Sequence, residues 1–492
     1  MIKRLFALVL SIAFLQGFII VKAADGTARE LTKQCAVTAD GKNASYLTDN
    51  NIYTYLKVNE VEIKSDAPLY GVYILFDRTP TEWKLTAKDK EQICGKNGFL
   101  HEFVELSGET EIKLSFESGT TVADVFVYGE GALPNTVQRW ELLERADIMI
   151  CPTHSDDDQL YFAGMIPWCT AKGYDVQIVY FTNHWNTHDR PHELLNGLWH
   201  CGLRYYPYIS DHPDLYSLSL AEAEQVFKGV GLDKNYFVEF YVDLLQRYQP
   251  LVVAGHDQNG EYGHGAHMLN STVLREAVSL SAERGLWDVP KTYIHLWGEN
   301  QATFNWDIPM EELGGKTPFE VSQEGYGFHY SQHRFESLSR WLYGVEGAPI
   351  TKASQIYSYS PCRYGLFRST VGLDTTENSL FEHLKSYKEQ QAEQAPPKPE
   401  PPVPPEELPK EEKTYYPSIM WAELKMEEYT EEHRAELYLQ KPVSLKPTAK
   451  NEVKQDNTGA YIIVSALSLL ILASAIIITR KRYNEPKHKN KV

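Results

Sequence analysis

The chain has 492 residues, a formal net charge of -18 and an apolar fraction of 43%. That is length enough for two or three domains with sizeable cores. The acidic balance excludes nucleic acid as a natural partner, because a phosphate backbone is bound by clustered Lys and Arg.

In chain order, Lys3 and Arg4 precede an apolar run over residues 5–21, and Val21, Lys22 and Ala23 offer small residues for cleavage. This predicts a secretory signal peptide over residues 1–23, with an uncleaved anchor as the alternative. Residues 24–134 hold short stretches of strand character at 71–77, 99–106, 112–117 and 123–129, punctuated by Gly, Asp and Asn. The pattern predicts a β-sandwich. Asn43-Ala44-Ser45 and Asn270-Ser271-Thr272 have the form of glycosylation acceptors. Of the six cysteines, Cys35 and Cys94 share the N-terminal region of an exported chain and predict a disulfide. Cys151, Cys169 and Cys201 sit in apolar contexts and predict core thiols.

From Ala146 the pattern changes. Strands are expected at 148–151, 176–181, 251–254 and 293–297, and helices at 159–172, 191–201 and 237–248. Alternating strand and helix predicts an α/β domain over 135–390 with a largely parallel sheet. Ligands of such sheets bind beyond the carboxyl ends of the strands. Residues 391–459 are rich in Pro and Glu and predict a linker and stalk. Residues 460–479 are free of charge, and Arg480, Lys481 and Arg482 open a basic tail over 480–492. About twenty apolar residues span a bilayer, and basic tails stay cytoplasmic. The expectation is a single-pass cell-membrane protein whose folded part is exported.

Two stretches carry the chemistry. The first is residues 153–158, in which His154 and Ser155 lead into Asp156, Asp157 and Asp158 directly after a predicted strand. Three adjacent carboxylates repel one another, and burying them costs several kcal/mol by rough estimate unless a cation sits among them. A divalent metal would answer that; a solvated acidic loop or a helix N-terminus would answer it as well. The second is residues 255–267, which follow the strand at 251–254 and contain His256, Asp257, Tyr262, His264 and His267. By the strand rule both stretches meet at one sheet edge. Two His and one carboxylate with an open position form the usual ligand set of a catalytic zinc.

The pair of stretches resembles the PIG-L (LmbE-like) family of zinc-dependent N-deacetylases, whose His-Pro-Asp-Asp-Glu motif follows the first strand and whose His-x-x-His motif comes later. The resemblance covers about residues 146–282. It implies a zinc held by His154, Asp157 and His267, with Asp156 as general base. His264 would stabilise the oxyanion or protonate the leaving amine. Residues 190–193 resemble the family's Arg-x-x-Glu motif, which makes Arg190 a candidate contact to sugar hydroxyls and Glu193 the residue that orients it; a salt bridge at a helix start is the plainer alternative. Tyr262 is the best of several aromatic candidates for stacking on a sugar, the others being Trp185, Trp199, Tyr205, Tyr206 and Tyr208. Asp156 and Asp157 would diverge along an extended segment, one to metal and one to water.

The chain departs from the family at Ser155 and Asp158, which are neither ligand nor base, and at Gly265-Ala266, which stand where Pro-Asp is common. The implied function is hydrolysis of the acetamide of an N-acetylated amino sugar at the cell surface. The alternatives are a surface carbohydrate-binding protein with altered catalysis and a metal amidase acting on another acylated amine.

Overall fold

Val61 and Ile63 are buried while Glu60, Glu62 and Lys64 are not, the two-residue period of a strand with one face on a core. That period recurs through the N-terminal module of the computed structural model, which describes residues 26–88, 90–376, 378 and 380–394. These residues fall in the unit Met1–Lys398. The expected signal peptide, the stalk, the apolar run at 460–479 and the basic tail lie outside them. Among the described residues no helix is long and apolar enough to cross a membrane.

The module holds six strands in the order Lys42–Asn43, Ala36–Ala39, Leu56–Phe76, His101–Tyr128, Trp83–Ala87 and Lys90–Cys94. The two long strands pair twice over. Residues 60–64 face 115 back to 111, and residues 71–75 lie between 101–105 and 124–128. Val61, Ile63, Leu85 and Leu114 share one apolar cluster with Val72, Ile74, Val104, Val125 and Val127.

The expected Cys35–Cys94 disulfide is absent: both are free thiols. Cys35 immediately precedes Ala36–Ala39 and Cys94 ends Lys90–Cys94, four steps away in the strand order. At about 4.8 Å per step that is roughly 19 Å, far beyond the Cα separation of about 7 Å that a disulfide tolerates. Cys151, Cys169 and Cys201 are buried thiols, as their apolar contexts predict.

The second sheet has seven strands in the order Gln301–Thr303, Arg363–Ser369, Lys291–His295, Val252–Gly255, Ile148–Ile150, Val176–Tyr180 and Tyr208–Ile209. The four pairings from Lys291–His295 to Tyr208–Ile209 are parallel, and Arg363–Ser369 is antiparallel to both neighbours. Both faces are covered, so the central strands are apolar throughout. Ile148 and Ile150 pack with Ile166, Cys169 and Leu195 on one side. Met149 and Cys151 pack with Phe237, Tyr241, Val273 and Leu274 on the other. The latter four come from the helices Lys234–Tyr248 and Gly265–Glu283.

The continuous helix expected at 159–172 is two helices, Asp157–Leu160 and Met165–Ala171. The break is Gly164, whose φ of 86° no helix contains. A Cβ there would come within 2.4 Å of Cγ of Trp306, a buried ring whose Nε1 donates to the Pro361 carbonyl. The turn exists so that the first helix can end under the site and the second can cover the sheet.

The module and the α/β layers share one apolar cluster. Phe99 packs on Tyr206 with ring centroids 4.7 Å apart, and the Leu100 amide donates to the Tyr206 hydroxyl. Trp140 meets Trp199 edge-on at 5.1 Å. Trp199 and Tyr206 are therefore packing residues. Gly164→Ala should destabilise the protein by about 2–5 kcal/mol, from the left-handed backbone and the overlap with Trp306 together. Urea unfolding checks this, with unchanged slope and a lower midpoint expected.

Candidate active site

The sheet ends Ile148–Ile150 and Val252–Gly255 are adjacent and parallel, so the stretches that follow them meet at one edge. The Cys151 carbonyl and Thr153 Oγ1 both accept from Nδ2 of Asn270, and the Thr182 hydroxyl donates to the Thr153 carbonyl. Asn270 is fully buried. The Asn270-Ser271-Thr272 triplet is thus a structural tie between the helix Gly265–Glu283 and the first strand.

The chain then turns instead of extending. Asp156 has φ -125° and ψ -15°, and Asp157 opens the short helix. The expected divergence along an extended segment is replaced by the turn itself, which rotates successive side chains by about 100°. Asp157 Oδ2 accepts from the His154 amide at 2.7 Å and lies 3.2 Å from both His154 Nδ1 and His267 Nε2. His154 Nδ1 and His267 Nε2 are 3.0 Å apart.

His267 Nδ1 donates to Glu261 at 2.7 Å, which leaves Nε2 as a lone pair directed at Asp157 and His154. Three ligand atoms at 3.0–3.2 Å from one another match the edges of a zinc tetrahedron, which are about 3.3 Å for bonds of about 2.0–2.1 Å. All three residues are buried. The donor set fits a divalent metal, and the structure brings together the three ligands that the motifs imply.

Asp156 lies beside them, buried, with Oδ1 accepting from Arg190 Nη2 at 2.9 Å. Burial pushes its carboxyl up, opposed by the Arg190 charge. Burial would raise Asp157 too, but the His267 and His154 rings hold it well below the usual carboxylate range. Asp158 is buried away from water, with Oδ2 accepting from Gln159 Nε2, and burial pushes its carboxyl well up.

His264 stands 4.8 Å from His154 and 4.7 Å from His267 between ring centroids. Its Nδ1 is buried and has no hydrogen-bond partner among the described residues. Burial, with His154 and His267 beside it, pushes His264 down to about 2, so it stands as a neutral imidazole. Tyr262, half-exposed at φ 49°, and Tyr216, 70% exposed, both approach His264 at 5.5 Å and form part of the rim. Tyr205 and Tyr208 pack against the core under the helices instead.

The expected partnership of Arg190 and Glu193 is corrected. Arg190 Nε donates to Ser155 Oγ, and Nη2 donates to Asp156. Glu193 accepts from the Ser331 amide at 2.7 Å and the Ser331 hydroxyl at 2.6 Å. On the helix Asp189–His200 the two residues are three apart, but they serve different neighbours: Arg190 the site and Glu193 the 331 loop.

Glu261, His295, Asp214 and His184 escaped the sequence reading as parts of the site. Glu261 is fully buried and faces three imidazoles: His256 at 2.8 Å, His267 at 2.7 Å and His295 at 2.6 Å. His256 in turn accepts the Thr153 amide on Nε2 at 2.9 Å. Asp214 Oδ1 lies 3.3 Å from His154 Nε2, and its other oxygen is 3.6 Å from His184 Nδ1. His184 Nε2 accepts the Ser155 amide. A carboxylate that receives the far nitrogen of a metal-binding His fixes its tautomer. Six residues before His267, Glu261 was findable on that ground; Asp214 carries no local signal.

Gly265 explains one departure from the family. Its amide donates to the Ser217 carbonyl at 2.8 Å, and a Cβ there would lie 2.5 Å from Ser217 Oγ. Proline could neither donate nor fit.

No family model matches the chain. Over 56 residues it is 52% identical to the 1D-myo-inositol 2-acetamido-2-deoxy-alpha-D-glucopyranoside deacetylase of Nocardia farcinica, covering 11% of this chain and 18% of that protein. Over 99 residues it is 29% identical to deacetylase 2 of the same description from Saccharopolyspora erythraea, covering 19% of this chain and 35% of that protein. The chain thus matches about a fifth to a third of the length of these curated relatives. Among solved structures, the N,N'-diacetylchitobiose deacetylase of Pyrococcus horikoshii aligns at 15% identity and a TM-score of 0.31, over 45% of this chain and 84% of that one. Both curated relatives are named as deacetylases, in keeping with the resemblance of the motif residues to the PIG-L (LmbE-like) N-deacetylases.

Glu261→Gln should weaken metal binding about 10–100-fold, because the amide keeps one acceptor oxygen and can no longer accept from His256, His267 and His295 together. Competition of the purified protein with a chromogenic zinc chelator measures it. Asp156→Asn, which touches no ligand, should leave the affinity within a factor of a few.

Proposed function

We propose that the protein is a zinc-dependent N-deacetylase that hydrolyses the acetamide of an N-acetylated amino sugar in a glycan or glycoconjugate. The convergence of His154 Nδ1, Asp157 Oδ2 and His267 Nε2 beside the Arg190-held Asp156 carries this reading. The curated relatives, named as deacetylases of an acetamido sugar conjugate, support it.

His154, Asp157 and His267 would hold the metal. When bound, it polarises a carbonyl and lowers the pKa of water. Asp156 has one oxygen tied to Arg190 and accepts the proton of the attacking water with its carboxylate. Its raised pKa suits a group that must take a proton and then give it up. The neutral His264 donates an N–H to the carbonyl oxygen as negative charge develops there. Asp156 then returns its proton to the sugar nitrogen, the C–N bond breaks, and acetate leaves with a free amine behind. Arg190 opposes the effect of burial on Asp156 and holds its carboxylate in place. Tyr262 packs on the sugar at the rim. In this reading the N-terminal module is a β-sandwich, residues 1–23 direct export, and residues 460–479 anchor the chain with its folded part outside the cell.

Acetate release from N-acetylated sugars, assayed before and after chelation and zinc restoration, tests the activity. Chelator-resistant release, or none from any N-acetyl sugar, rules the reading out. Asp156→Asn should retain zinc and lose about 10²–10⁴-fold in turnover. His267→Ala should lose the zinc itself, measured by elemental analysis.

A further inference from the structure

The loop that precedes the strand Leu56–Phe76 reaches from the N-terminal module to the catalytic domain. Tyr53 Oη donates to Asp189 Oδ2 at 2.8 Å. Tyr55 stacks on His188 with centroids 5.2 Å apart and planes 30° apart. His188 Nδ1 is 2.5 Å from Asp77 Oδ1, whose other oxygen accepts from the Thr121 hydroxyl. Arg78 of the module donates to the Trp185 carbonyl.

These ties end at the segment that builds one wall of the active site. Asp189 is the residue before Arg190, which holds Asp156, and His184 of the same segment holds the Ser155 amide. The loop is itself pinned from within, by Asn50 on Asp124 and by Thr54 on Asp49.

Tyr53 and Tyr55 are nevertheless 61% and 41% exposed. A tyrosine kept for packing buries its ring, and an incidental surface tyrosine leaves its hydroxyl in water. Here the Tyr53 hydroxyl and one ring face of Tyr55 are fixed, and the remaining ring surface is open. Tyrosine in that state offers a flat apolar face at low entropic cost, beside hydrogen-bonding groups. Asp49 and Asn51, both exposed, supply the polar groups. Apolar faces next to carboxylate and amide oxygens complement a pyranose, with its C–H faces and ring of hydroxyls.

We propose that Tyr53 and Tyr55 form a sugar-binding subsite that extends the active site across the two domains, so that the favoured substrate is a glycan chain longer than the residue deacetylated. The module then sets substrate length, and the catalytic residues set the chemistry. This rests on the proposed deacetylase function.

The test compares an N-acetylglucosamine hexamer with the dimer, using the full chain. Tyr53→Ala with Tyr55→Ala should lower the hexamer-to-dimer ratio of kcat/KM about tenfold, mostly through KM, the equivalent of one stacking contact. Tyr53→Phe keeps the ring and should keep most of the ratio. An unmoved ratio in a double variant with parental thermal stability overturns the subsite. Calorimetry on the Asp156→Asn protein reads binding without turnover: the hexamer should bind about tenfold tighter than the dimer, and equal affinities overturn the subsite even where the double variant does not fold. Acetate release by the parent protein decides the deacetylase reading separately.

Discussion

A fully buried carboxylate needs compensation, and Glu261 receives it from three imidazoles at 2.6–2.8 Å. Burial works against its charge, yet His256 and the hydrogen bonds from His256, His267 and His295 hold it well below the usual range. Removing one partner of such a group costs far more than the set contributes, since the remainder is left charged in a low-dielectric interior. The arrangement fixes His267 with its Nε2 free and His256 with its Nε2 accepting the Thr153 amide. His267, the proposed metal ligand, and the strand end are thus oriented by one side chain. His295, from the neighbouring strand Lys291–His295, links the same carboxylate to the sheet.

The space beside His264 shows a second adjustment. Family members commonly carry Pro-Asp between the two histidines. Gly265 admits the segment around Ser217 instead, through an amide–carbonyl bond that proline cannot make. That segment brings Asp214 to His154 Nε2 and Tyr216 to His264. The carboxylate near this site thus comes from a different loop, and it lies beside His154 rather than His264. His264 Nδ1 is left without a partner among the described residues. The imidazole is correspondingly neutral, which suits hydrogen-bond donation.

The residues that follow strands were the legible part of this site. An apolar run of three or four residues followed by His and Asp reads the same in sequence and in structure, because strand direction dictates where its end points. His154, Asp157 and His267 meet as the motifs imply. Glu261 escaped because its value lies in three partners that only the tertiary fold brings together. Arg190 was legible as a site residue, but its target was not: helix spacing alone does not tell whether an arginine reaches a neighbour three residues on or a base from another element. The helix break at Gly164 had a weak signal, a lone glycine in an apolar helical pattern. The disulfide failed on distance, since sharing a module says nothing of which strands carry the two thiols.

The adjacent carboxylates of Asp156 and Asp157 must differ in character for the chemistry to work. Two like groups on neighbouring residues would share one titration unless their surroundings separate them. The turn at Asp156 supplies the separation by pointing Asp157 at two imidazoles and Asp156 at one guanidinium. Asp157 is held well below the usual carboxylate range, as the proposed ligand role requires, while burial raises Asp156, the proposed base. Arg190 sets the limit of that rise, and the module's Tyr53 is bonded to the residue next to Arg190. Asp156, the proposed base, is therefore held from a helix start that the N-terminal module also contacts, through the hydrogen bond of Tyr53 to Asp189.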